Sequence, residues 1–368
     1  MVEIKPTKLK IAVIVISLSR GGAERSTGTI SKICEDLGHE VTLISVIDEP
    51  EFDYGGKYHA LAKGKDFKTV LGRKSAKFFD AYQLFKKENF DVILDGRTRP
   101  TFLKELIFNL LIFKKKPLIR MIHNSNLEKS FPSSKWKSNY LYKNDNLITV
   151  SKKAEVIVRE TFNFNKIRTI YYPVSKARIT ELSNKALEVH ESIYILFYGR
   201  FENKSKNLLF LLKAFSKSSL PKLNINLMLV GQGPDENELK EKAIELNIAD
   251  KVIFKGFIPN PMPYVKHSLF TVMTSNYEGF PMTLIESLTL GVPVVTLDYV
   301  SGPSEIIETG KNGILVTKKK TDDFSKALNK MITDKDFYNK CVEGTKDSVR
   351  FFDTKYIAQK WNELLKEL

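Results

Sequence analysis

Two glutamates separated by seven residues, Glu278 and Glu286, stand in the otherwise apolar stretch 277–295, YEGFPMTLIESLTLGVPVV. Pro281 suits the first turn of a helix, where a missing N–H costs nothing, and Gly291 suits the position just past a helix end. The run PVVTL behind it reads as a buried strand. Glu278 is therefore expected just before a helix N-terminus and Glu286 about one turn inside. Met282, Ile285, Glu286 and Thr289 share one helix face by their three- and four-residue spacing. A helix N-terminus offers free N–H groups and a positive dipole end, which suits a phosphate. Carboxylates beside it then serve as hydroxyl acceptors, and the combination points to a ligand carrying both phosphates and sugar hydroxyls. The plainer alternative is that Glu278 caps the helix and Glu286 is solvated.

Four other stretches carry similar chemistry. In SRGGAERS, Gly21 and Gly22 permit close backbone approach at a strand-to-helix loop, although the dinucleotide pattern G-x-G-x-x-G is absent. In YGRFENKSKN, Arg200 ends an apolar strand, and Lys204 and Lys206 compete to complete a diphosphate clamp with it. His123 ends the strand PLIRMIH, where a histidine is either a general acid/base, a hydrogen-bond donor to substrate, or a satisfied structural residue. VGQGP (230–234) and SGPSEII (301–307) add glycine loops at two more strand ends.

These residues need a frame, and the apolar pattern supplies one. Strand-length runs alternate with amphipathic helical stretches, the signature of parallel α/β sheets. The first half gives KIAVIVIS, EVTLISV, FDVILD, PLIRMIH, NLITVS and RTIYYPV. The second gives IYILFYGR, NINLMLVG, KVIFKGF, LFTVMTS, VPVVTLD and NGILVT. Two Rossmann-like doubly wound domains are expected, 1–174 and 192–352, facing each other across a cleft, with the polar segment 175–191 as linker. The amphipathic stretch 353–368 is a candidate to pack back on the first domain. Open sheets of this kind bind ligands outside their strand C-termini, where all five loops fall.

The 368 residues suit two domains, and the composition of 42% hydrophobic and 27% charged residues excludes a disordered chain. Two distant cysteines, Cys34 and Cys341, argue against a disulfide framework or a cysteine zinc site and for a reducing, cytosolic setting. The N-terminal run Ile11 to Leu18 is too short for a signal peptide's apolar core followed by a proper cleavage region, and reads as a first strand. TFLKELIFNLLIFKKK, broken by Lys104, Glu105 and Asn109, does not span a bilayer. The net charge of +15 is uneven: residues 1–174 hold 31 Lys+Arg against 19 Asp+Glu, and residues 175–368 hold 27 against 24. The basic first half prefers anionic partners, either nucleic acid, acidic headgroups or a diphosphate-linked lipid. The segment with Phe108, Leu111 and Ile112 ahead of Lys114, Lys115 and Lys116 is expected either to insert shallowly in a membrane or to be a core helix with lysines at its end. Nucleic acid is disfavoured, since no aromatic-basic interleaving or helix-turn-helix cue appears.

GGAERS followed by GHEVTLIS, then GRFENKSKN, VGQGP, EGFPMTLIE and GPSEII with NGILV, resemble a retaining glycosyltransferase of family 4 over essentially the whole chain. The resemblance implies the GT-B fold and transfer, with retention, of a sugar from a nucleoside-diphosphate sugar, UDP-linked by family habit, to a glycan or lipid-linked acceptor. It places such an enzyme in cell-surface polysaccharide or lipopolysaccharide synthesis, peripheral on the inner face of the cytoplasmic membrane. By motif position it implies Glu278 on donor-sugar hydroxyls and Glu286 on the ribose. Gly279, Phe280, Met282 and Thr283 would meet the diphosphate, with Gly21, Gly22, Arg200 and Lys206. Gly231, Gly233, Phe257 and Ile258 would contact the nucleoside, and His123 would face the transferred sugar and the acceptor. No cofactor or metal is implied. The lone D-x-D, Asp334-Lys335-Asp336, sits far from any strand end. A nucleotide-sugar epimerase of the same fold, a basic nucleic-acid or membrane-binding protein, and a non-catalytic binding subunit are the competing readings.

Overall fold

The computed structural model describes residues 8–368 except 20, 125, 187–191 and 301. The chain divides into two compact units, residues 1–173 with 354–368, and residues 174–353.

The first unit is built on a seven-stranded, all-parallel sheet: β1 (Lys10–Val15), β2 (Glu40–Ser45), β3 (Lys57–Ala60), β4 (Val92–Asp95), β5 (Leu118–Ile122), β6 (Asn146–Thr149) and β7 (Lys166–Thr169). The order is β3-β2-β1-β4-β5-β6-β7. The central strands are near-continuous apolar runs because helices cover both faces. The edges are where sequence reading slipped. β3, KYHA, is four residues with a lysine and a histidine, so no apolar run announces it. β7 was expected from Arg168 onward but pairs over Lys166–Thr169, since only β6 holds it in register.

Beneath the C-terminal ends of β4 and β5 lies a buried charge cluster. Asp95 accepts from Arg97 Nε at 2.8 Å and from Arg120 Nη1 at 3.1 Å. Arg97 also reaches Glu105, and Arg120 Nε reaches Asp145 at 2.6 Å. Burial alone would push the Asp95 carboxyl up, but Arg97 and Arg99 beside it hold it well below the usual carboxylate range. Arg99 donates to the carbonyls of Asp95, at 3.2 Å, and Met121, at 2.7 Å, and so ties the ends of the two strands together.

The final helix, Thr354–Lys366, packs on the first unit through Ile357, Trp361, Leu364 and Leu365, against helix Gly22–Asp36. Arg168 Nη1 donates to Glu367 Oε1 at 2.9 Å just past its end.

The second unit repeats the plan with six parallel strands: β8 (Tyr194–Tyr198), β9 (Asn226–Val230), β10 (Val252–Phe254), β11 (Thr271–Met273), β12 (Val294–Leu297) and β13 (Gly313–Val316). The order, β10-β9-β8-β11-β12-β13, reverses direction between β8 and β11, as the first sheet does between β1 and β4. One large core, from Ile195 to Cys341, fills it. The stretch expected as linker begins with a packed helix instead. Lys176–Ser183 lies against helix Met262–His267, with Asn260 Nδ2 donating to Leu182 O at 2.9 Å. Residues 187–191 of that stretch lie outside the described residues.

The segment with Phe108, Leu111 and Ile112 is a short α-helix, Phe102–Ile107, running into a π-helix, Phe108–Phe113. Ile112 and Phe113 are buried, and Phe108 packs edge-on against Phe78. Shallow insertion through Phe108 and Ile112 is thereby excluded, because both belong to the core packing. Among the described residues no helix is long and apolar enough to cross a membrane.

Candidate active site

The point where the second sheet reverses direction gathers most of the predicted residues. The loop after β8 carries Arg200, exposed, with no side-chain partner among the described residues. Its neighbours hold it in place. Phe201 N–H donates to Gln232 O at 2.9 Å and Gly199 N–H to Val230 O at 2.9 Å. A Cβ on Gly231 or Gly233 would strike the Gly199 or Phe201 backbone. These two glycines, expected at the nucleoside, are therefore required by the close packing of the loop that presents Arg200.

The one-turn helix Asn203–Lys206 follows, ended by Asn207 in the left-handed conformation, φ 54°. Lys206 is half-buried and its ammonium donates to Glu278 Oε1, while Lys204 is exposed and makes no such contact. Glu278 lies in the loop after β11, and its Oε1 also accepts from Ser275 Oγ at 2.8 Å. Thr274 Oγ1 donates to Lys206 O at 3.0 Å, and Asn276 N–H to Ser205 O at 2.8 Å. The two loops flanking the reversal are thus stitched side by side.

Helix Met282–Thr289 starts one residue beyond Pro281, and Gly291, φ 81°, follows its end. Glu286 is half-buried one turn in, and Oε2 accepts from Tyr198 O–H at 3.2 Å. The same hydroxyl lies 2.7 Å from Thr283 O, so Tyr198 at the end of β8 joins the helix start to the sheet. Met282 N–H is turned back onto Phe280 O at 3.0 Å, which removes one of the N–H groups expected to meet a diphosphate. Phe280 is buried, with its ring 5.8 Å from that of Phe352. Phe257, just past β10, leaves 64% of its surface exposed, an open aromatic face beside the half-buried Ile258.

In the first unit Gly21 is the N-cap of helix Gly22–Asp36 with extended backbone, and the Glu24 carboxylate fills the space a Cβ would need. The predicted phosphate approach at Gly21 and Gly22 therefore meets a carboxylate at close range, which repels an anion.

His123 follows β5. Its Nε2 lies 2.9 Å from Gly96 O and its Nδ1 2.5 Å from Tyr172 O–H. A carbonyl only accepts, so Nε2 carries the ring proton and Nδ1 accepts from Tyr172. Burial, with Arg99 adding repulsion, lowers the imidazole pKa to about 4, so the ring is neutral near pH 7. Both nitrogens are engaged inside the unit, which fits the satisfied-residue alternative among the three that the sequence left open for His123.

Asp334 of the D-x-D caps helix Lys335–Ser348, accepting from Phe337 N–H at 3.0 Å. Among the described residues no cluster of His, Cys, Asp and Glu could hold a metal ion.

Sequence reasoning missed Tyr198, Ser275 and Tyr172. Tyr198 had a usable signal, since it stands at the strand end directly before Gly199-Arg200.

Residues 178–348 match the family described as Glycosyl transferases group 1, and residues 20–178 match Glycosyltransferase Family 4. The chain belongs to glycosyltransferase family 4. It is 26% identical, over 95% of its length and 97% of the relative's, to the N-acetylgalactosamine-N,N'-diacetylbacillosaminyl-diphospho-undecaprenol 4-alpha-N-acetylgalactosaminyltransferase of Campylobacter jejuni. It is 29% identical to an uncharacterized glycosyltransferase of Methanocaldococcus jannaschii, over 61% of this chain and 64% of that protein's length. The fold is similar to that of HepE from Anabaena, solved with UDP and glucose, with a TM-score of 0.76 at 18% identity, covering 98% of this chain and all of that one. This glycosyltransferase has the GT-B type of fold, two parallel-sheet α/β units.

Proposed function

We propose that this family 4 glycosyltransferase moves a hexosyl group from a UDP-sugar to a lipid-linked or glycan acceptor in cell-surface polysaccharide or lipopolysaccharide synthesis. The observation that carries the reading is the Lys206–Glu278 pair, which joins the loop carrying exposed Arg200 to the loop that leads into the helix of Glu286. An ammonium has three donors, so Lys206 can hold Glu278 and still turn N–H groups to a phosphate. Arg200 supplies a second cation, and together they balance charge as the diphosphate leaves. Glu286 takes the ribose hydroxyls, Phe257 offers a face to the base, and Glu278 accepts from the donor sugar. His123 serves the acceptor side as a neutral, fixed imidazole rather than as a proton carrier. The leaving phosphate then acts as the base, and transfer proceeds with retention and without a metal.

The acceptor class draws support from the Campylobacter jejuni relative, whose name specifies a diphospho-undecaprenol-linked substrate. A hydrophobic acceptor of that kind suits a cytoplasmic enzyme lying peripherally on the inner face of the cytoplasmic membrane. A thermal-shift screen of nucleoside diphosphates and their sugars tests the donor. A ligand at a hundred times its dissociation constant stabilises by about 2.7 kcal/mol. UDP or a UDP-sugar is expected to raise the melting temperature, and the absence of a shift with any nucleotide would overturn the reading.

A further inference from the structure

The first unit carries a ligand-sized feature lined by none of the residues given a role in transfer above. A cavity of about 150 Å³ opens between helix Val70–Glu88 and the π-helix Phe108–Phe113. Its lining includes Tyr82, Phe85 and Leu111, with Lys86, Lys114 and Lys116, and contains no carboxylate. The volume is about five times what one water molecule takes in the liquid, enough for a small anionic group. None of the three lysines makes an ion pair among the described residues. Lys116 Nζ donates to Asn89 Oδ1 at 3.2 Å, and Lys114 Nζ lies 5.4 Å from the Tyr82 ring centre.

Two features of the backbone set this place apart. A π-helix is rare and concentrates at functional positions. Directly after it, Lys114 and Lys115 both adopt left-handed backbone, φ 45° and 62°, which L-residues other than Asn and Asp seldom visit.

The surface around the cavity is apolar. Leu103, Ile107, Leu110 and Leu111 recur at helical spacing and leave 63, 38, 64 and 48% of their surface exposed. Beside them helix Lys135–Tyr142 exposes Trp136 and Tyr140, with the Trp136 ring 5.7 Å from Phe102. The only carboxylate between residues 96 and 123 is Glu105, which is buried on Arg97 and Arg120. An exposed aliphatic row, flanking Trp and Tyr, and lysines that make no ion pair among the described residues complement one partner: the interface of an anionic bilayer.

We infer that this face is a lipid-docking surface, with the phosphate of an anionic phospholipid headgroup held by Lys86, Lys114 and Lys116 while the leucine row enters the acyl boundary. The inference deepens the membrane-side reading of the enzyme by naming the surface and its ligand, and it can fail separately from the donor assignment.

The test is flotation of the full chain with phosphatidylcholine vesicles, with and without phosphatidylglycerol, at low and high salt. Binding is expected only with phosphatidylglycerol and is expected to fall with salt. Neutralising three headgroup lysines, Lys86→Gln, Lys114→Gln and Lys116→Gln, is expected to lower the partition coefficient by about a hundredfold. Leu110→Asp with Leu111→Asp is expected to lower it as well, with UDP thermal shift and circular dichroism unchanged in both variants. Equal binding to both vesicle types, no binding to either, or undiminished binding by the lysine variant would overturn the inference. So would saturable stabilisation by inorganic phosphate without vesicle binding, which marks a soluble-anion site. Loss of UDP binding in the unmodified chain would instead count against the donor reading and leave this surface standing.

Discussion

The Lys206 ammonium donates to the Glu278 carboxylate across 72 positions of sequence, and Ser275 adds a second hydrogen bond to the same oxygen. The pair joins the two loops that flank the reversal of the second sheet, so the cation and the carboxylate are fixed by each other before any ligand arrives.

Lys206→Ala is therefore expected to lower kcat/KM for sugar transfer by roughly 10²- to 10³-fold, the usual effect of removing one donor aimed at developing negative charge. Lys206→Arg should recover part of the loss. Lys204→Ala, which leaves the Glu278 contact intact, should transfer sugar at the unmodified rate. Steady-state kinetics with a UDP-sugar decide between the two lysines, and a loss confined to Lys204→Ala would reverse the assignment.

The two glutamates should separate by what they bind. Glu286→Ala is expected to weaken UDP affinity by roughly ten- to a hundredfold, as for loss of a charged hydrogen-bond partner, and Tyr198→Phe by only a few-fold. Glu278→Ala should leave UDP affinity nearly unchanged and reduce transfer. Calorimetric titration with UDP reads the first quantity and product formation the second. Equal loss of UDP affinity in both glutamate variants would contradict the division of roles.

Transfer should survive a chelator. Asp334 is a helix cap, so Asp334→Ala should cost about 1 kcal/mol of stability and leave turnover intact. Complete loss of activity in EDTA, restored by magnesium or manganese, would show a metal in the reaction.

His123 makes stability depend on pH in a defined window. Its folded pKa lies near 4, below the ordinary 6.5, because burial disfavours the charged ring. Above pH 6.5 the ring is neutral in both states and its stabilising effect is fully present. As pH falls from 6.5 toward 4 the unfolded chain takes up a proton that the folded chain refuses, and stability declines by up to roughly 3 kcal/mol. Below about pH 4 this loss is complete. Denaturant titrations across the window should show that slope in the unmodified chain and a reduced one in His123→Gln.

Much of the fold was written locally. Twelve of the thirteen strands were announced by short apolar runs, β7 two residues late, and the helix Met282–Thr289 followed from Pro281 and Gly291, because burial pattern and caps act within about ten residues. The sequence also placed Glu278 before that helix and Glu286 within it. The strand order was a different matter. It brings Lys206 to Glu278, Tyr198 to Glu286, and Tyr172 with Gly96 to His123, at separations of 72, 88, 49 and 27 positions. No local period encodes such pairs. Likewise Lys204 and Lys206 are equivalent by composition, and only the left-handed turn at Asn207 with the adjoining β11 loop decides which one meets a carboxylate. Ile112 and Leu111 are both apolar neighbours, yet packing buries one in the core and leaves the other exposed. Residue types and spacing determined which chemistry the chain could carry; the sheet reversals determined which residues stand together to perform it.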